Sequence, residues 1–164
     1  MADNQDIAGS ALDLTLTAIG SARELNLGRL GLPCLLICFG QETQAGIEDV
    51  ESAARERYPK ADQLLIGHVV DLHKIPGLLR KVAEGVLANE HKKAVESLPA
   101  GVSAHDYVVI LPDWEGSAVR ALGLEDATRT MGLALIDAAG RIAWRHQGLE
   151  PTEELRRRLA GEPL

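Results

Sequence analysis

Cys34 and Cys38 are the only thiols in a chain of 164 residues. They lie four apart inside the apolar run Leu32 to Phe39. On an extended strand their Cα atoms are about 13 Å apart, beyond the roughly 7 Å that a disulfide spans. They therefore point to the same strand face without pairing. A disulfide scaffold and an all-cysteine zinc site are excluded. Both thiols read first as small buried hydrophobes. Cys38 also has a reactive reading, because it stands at the strand's end. With Thr43 and Arg129 beside it, a single thiolate could reduce a peroxide and be recycled by an outside thiol.

Two further groups could do chemistry. The polar loop Gln41-Glu42-Thr43-Gln44 precedes a helical pattern. Thr43 fits the helix N-cap, with Gly46 as the third helical residue and Glu48 and Asp49 at the positive end. Gln41, Glu42 and Gln44 are ligand-binding candidates that could orient a small molecule, though none is a strong nucleophile without a base. Asp71 and His73, with His68 nearby, form an imidazole–carboxylate set that could bind a metal or shuttle protons, and Asp71 and His73 are also ligand-binding candidates. Their spacing matches no metal signature, so neither a metal nor a cofactor is expected. Arg129 fits an anion-binding residue or a salt-bridge partner of Asp113 or Glu115.

These residues are held by alternating strand and helix patterns, which point to an α/β domain. Residues 1–10 are polar and expected to be a flexible terminus, with one domain over 11–164. Ala11 to Ile19 alternates apolar with polar, as a short strand or hairpin arm does. The run ending at Phe39 is flanked by Gly31 and Gly40 and predicts a buried central strand. A helix over 45–58 stops at Pro59, and Leu64 to Val70 is a second buried strand. Strand, helix, strand implies a parallel pair whose carboxyl ends share one edge, bringing residues 40–46 near 71–74. Residues 75–98 form a helical insertion with a polar break at 89–93. Its apolar residues Ile75, Leu79, Val82 and Val86 suit either core cover or a subunit contact. Tyr107 to Leu111 is a third strand, stopped by Pro112. A short helix over 117–122, a hairpin over 132–136 and 141–145, and a last helix from Pro151 complete the chain. Trp114 and Trp144 suit either core or a contact patch.

Composition narrows the function. Lys plus Arg total 17 against 24 Asp plus Glu, a formal charge of −7, and aromatics are 3%. Such a chain lacks the positive charge and stacking platforms of a nucleic-acid binder. Its longest apolar run is far too short to span a membrane. No secretory signal stands at the amino terminus, so a cytoplasmic location is expected.

The element order resembles the thioredoxin fold, in its peroxiredoxin/redoxin branch (the alkyl hydroperoxide reductase/thiol-specific antioxidant superfamily). Three stretches carry the likeness: Ala11 to Leu16 running on through Pro33 to Phe39; Val69-Val70-Asp71; and Val109 to Asp113 with Ala118 to Gly123, Arg129 and Leu135 to Ile142. The resemblance implies a three-layer α/β sandwich around a central mixed sheet. It also implies a reactive cysteine at the start of the first helix, in a Thr-x-x-Cys or Cys-x-x-Cys motif. This chain departs there. Thr43 matches the peroxiredoxin threonine, but Gly46 stands where the cysteine would be. In the other register Gln44 and Ile47 replace both thiols. Arg129 matches the family arginine, and Met131-Gly132 stands where the family has a cis residue, without a proline. The expectation is a redoxin-type protein without its usual catalytic cysteine, acting as a binding, regulatory or assembly module. A homodimer and an unidentified protein or small-molecule partner are expected. The alternative is an atypical thiol peroxidase or oxidoreductase using Cys38, Thr43 and Arg129.

Overall fold

The sequence Cys-Leu-Leu-Ile-Cys-Phe is apolar at every position, and a strand buried on both faces is where such a run is stable. The computed structural model describes residues 9–164 and makes this stretch the central strand β3 (Cys34–Phe39), buried throughout. Alternation splits it. Cys34, Leu36 and Cys38 enter one core, while Leu35, Ile37 and Phe39 enter the other. Burial of each large aliphatic here stabilises by about 2 kcal/mol.

β1 (Thr15–Thr17) and β2 (Glu24–Asn26) form a small antiparallel ribbon before β3. β4 (Leu65–Asp71) pairs parallel with β3, and β5 (Ile110–Asp113) pairs parallel with β4. β6 (Gly132–Ile136) runs antiparallel to β3, and β7 (Ile142–Gln147) antiparallel to β6. The five-stranded order is β5-β4-β3-β6-β7. The first core lies under the β1–β2 ribbon (Leu25, Leu27) and under α4 (Ser117–Ala121), which inserts Ala118 and Val119. The second core takes Val50 and Ala54 from α1 (Ile47–Arg57) and Leu155 and Leu159 from α5 (Pro151–Gly161).

Several expectations change. The alternating stretch from Ala11 gives a strand over only three residues. The expected flexible terminus over 1–10 falls almost wholly outside the described residues. Residues 104–107 form a short helix, α3 (Ala104–Tyr107), where a strand was expected to begin at Tyr107. Pro112 lies within β5 rather than ending it, because β5 is an edge strand and its missing N–H leaves no ladder bond unmade. The expected polar break at 89–93 is absent. A 3-10 turn (Gly77–Leu79) leads into α2 (Arg80–Glu96), which runs unbroken. Lys93 bridges back to Glu90 one turn earlier, so the polar stretch is a solvated helix surface. No α2 residue is buried. Its inner side offers Leu87, Ala94 and Val95 half-buried to the second core. Among the described residues, no helix is long and apolar enough to cross a membrane.

Candidate functional site

Parallel strands bring their carboxyl ends to one edge, and that edge gathers most of the predicted residues. Cys38 of β3 opposes Val69, and Asp71 two residues on opposes Asp113 of β5. Cys38, Asp71 and Asp113 thus share the first core's face. Both thiols are fully buried. Burial pushes Cys34 up to about 12. Cys38 is pushed higher still, mainly by burial and further by the nearby Asp113 and Asp71 carboxylates. A thiol in this environment stays protonated at neutral pH.

Arg129 does not share that environment. Its side chain is 82% exposed, with Nε 3.7 Å from Asp126. Its partner is therefore neither Asp113 nor Glu115. Asp113 turns inward instead, accepting the Val119 N–H at 3.0 Å and lying 3.4 Å from the Ser117 hydroxyl, which fixes the start of α4.

The loop before α1 is built differently from its expected cap. Gly46, not Thr43, is the N-cap, at φ 90°, a left-handed conformation that glycine adopts without strain. The Thr43 hydroxyl accepts the Gly40 N–H at 2.8 Å and donates to the Ala127 carbonyl at 2.6 Å. A Cβ on Gly40 would meet the Thr128 Cα at 2.9 Å. The loop is thus stitched closely to residues 127–128, and Thr43 spends its hydroxyl on that seam. Gln41, Glu42 and Gln44 are exposed around it. Met131, just before β6, is buried, and no cis peptide occurs among the described residues.

Asp71 and His73 are brought together. The Asp71 side chain is fully buried. Its Oδ1 accepts the His73 N–H at 3.2 Å and lies 2.6 Å from His73 Nδ1. His68 points the other way, with Nε2 2.8 Å from Glu51 of α1 and its ring edge-on to Phe39. The three-residue set is therefore a pair, because strand alternation sends His68 to the opposite face. Sequence reasoning missed the third member of this edge, Asp126. It carries Lys74 Nζ at 2.8 Å and the Thr128 hydroxyl at 2.5 Å. Those hydrogen bonds hold its carboxyl well below the usual carboxylate range. A cavity of about 200 Å³ opens between Asp71, His73, Arg120 and Asp126.

A larger cleft of about 690 Å³ separates α2 from β1 and β5. Lys81, Glu84 and Ala88 line one wall, and Ile19, Pro112 and Trp114 the other. Trp114 packs on the second core with the Arg80 guanidinium 4.5 Å above its ring. Trp144 packs on the same core and stacks on His146.

No protein-family model and no curated protein sequence matches the chain. Solved structures do. The exposed lipoprotein thioredoxin of Streptococcus pneumoniae superposes with a TM-score of 0.58 at 19% identity, covering 90% of this chain and 98% of that one. A putative thiol:disulfide interchange protein DsbE from Chlorobium tepidum gives 0.57 at 15%, covering 92% and 94%. A thiol-disulfide oxidoreductase from Bacteroides fragilis gives 0.56 at 14%, covering 91% and 98%. The fold is thioredoxin-like. At these identities the likeness carries the architecture alone: a five-stranded sheet flanked by helices, mixed as the resemblance implied.

Proposed function

We propose that this protein is a thioredoxin-fold binding and assembly module that works by contact rather than by thiol exchange. The full burial of both cysteines carries the reading. A thiolate is the nucleophile in peroxide reduction and in disulfide exchange, and Cys38 sits where its charged form is strongly disfavoured. The loop before α1 holds Thr43, Gln44 and Gly46, and no side chain there is an activated nucleophile. Arg129 faces solvent, away from any thiol's buried surroundings.

The partner we propose is a second copy. Leu78 is 96% exposed, Val82 64% and Val86 57% on the outer side of α2 and its leading turn. Antiparallel packing about a two-fold axis at Val82 sets Leu78 against Val86 of the second copy. The apolar contact is self-complementary, as a two-fold interface requires. So small an apolar patch falls short of the roughly 800 Å² per partner of a standard interface. The dimer is accordingly weak.

Treatment with a modest excess of hydrogen peroxide, followed by mass spectrometry, tests the non-catalytic reading. The native protein is expected to remain unmodified at Cys38 over minutes. Rapid stoichiometric sulfenic acid there, with turnover in the presence of a thiol reductant, would establish the peroxidase instead.

A further inference from the structure

Asp71 is a fully buried carboxylate with one unused oxygen. Its Oδ1 is engaged by His73, whereas Oδ2 has no hydrogen-bond partner and no contact with solvent. Native proteins rarely leave a buried acceptor without a partner, and an ion or an ordered water is the usual group to meet it. Two further metal-competent side chains converge on the same cavity. Asp71, His73 and Asp126 each offer a donor atom, and the three atoms lie within 4.8 Å of one another. They come from the end of β4, the turn after it and the loop after α4, so the fold rather than a local sequence motif assembles them.

We propose that Asp71, His73 and Asp126 form a binding site for a first-row divalent transition-metal ion. One imidazole with two carboxylates is a borderline donor set that favours Zn²⁺ or Mn²⁺ over the hard ions Ca²⁺ and Mg²⁺, which prefer all-oxygen shells. Two donors held about 2.1 Å from one tetrahedral ion are roughly 3.4 Å apart. Donor atoms that lie within 4.8 Å of one another must therefore close by up to about 1.4 Å. His73 is one-third exposed at its side chain and has the freedom to do so. The ion would displace the His73 proton from its bond to Asp71 and would meet the charge of two carboxylates.

Lys74 fits this reading as a resident cation. Its ammonium lies on Asp126 Oδ2, yet the side chain is half exposed and can swing to water as an ion enters. Arg120 lines the cavity, but its Nη1 is tied to the Glu115 carbonyl at 2.9 Å. Lys74 is thus a competitor for Asp126 and not a ligand.

Isothermal titration of the chelator-treated, full-length protein with ZnCl₂ tests the site. One ion per chain is expected, together with a rise in Tm that grows with free Zn²⁺. His73→Gln and Asp126→Asn are both at the surface and leave the cores intact. Each should weaken binding at least tenfold, whereas Lys74→Met should hold or tighten it. Absence of saturable binding up to millimolar Zn²⁺ would overturn the proposal. So would binding that both ligand variants leave unchanged, which would locate the ion elsewhere. Weaker binding in Lys74→Met would also contradict it, because the competitor would then be acting as a support.

Discussion

Thr43 joins two segments that are 84 residues apart in sequence. Its hydroxyl takes the Gly40 N–H and gives its own proton to the Ala127 carbonyl, both partly shielded from water. Thr43→Val keeps the shape and leaves both groups unpaired. It should cost about 1–3 kcal/mol and lower Tm by several degrees, while Thr43→Ser retains most of the stability. Thermal melts of the three proteins check this; equal Tm values would mean the seam contributes nothing. The residue type was readable as a helix cap, but its partner was not, because a side chain's choice between a local and a distant acceptor is made by tertiary packing. Asp126 was hidden for the same reason. Nothing in Glu125-Asp126-Ala127-Thr128 signals that its carboxylate will meet Asp71 and His73.

The strands and helices were more legible than the residues, because burial imposes a period on sequence that a single site does not. The run to Phe39, the hairpin arm at 132–136 and the stop at Pro59 all gave their elements within a few residues. The second helix was harder. Its apolar residues form two stripes, Leu79, Val82 and Val86 on one side and Leu87, Val95 and Leu98 nearer the other. Periodicity groups such residues but does not say which stripe faces the body. The structure turns the second stripe inward and leaves the first in solvent. If that outer face is a two-fold contact, sedimentation should detect a dimer that dissociates in the micromolar range, and Val82→Glu should abolish it. Two like charges would then meet at the axis. A wild-type protein that remains monomeric at hundreds of micromolar would remove the proposed interface.

The thioredoxin-like architecture followed from the order of elements, and fold alone does not assign chemistry. Function depends on how the folded chain treats a few side chains, here chiefly the two thiols. They lie on a strand buried on both faces, and Cys38 also lies near carboxylates that disfavour a thiolate. The loop that opens α1 is closed by a threonine and a glycine. The sheet edge instead offers an aspartate, a histidine and a second aspartate, groups suited to binding. Under the proposed reading, each of these features separates what the molecule is built like from what it does.

The most direct test of that separation is the rate at which a disulfide reagent such as dithionitrobenzoate labels the native protein at neutral pH. Labelling should be slow, should track unfolding, and should reach two thiols per chain promptly only in denaturant. Labelling of Cys38 in the native state at or above the rate of a free thiol would contradict the account.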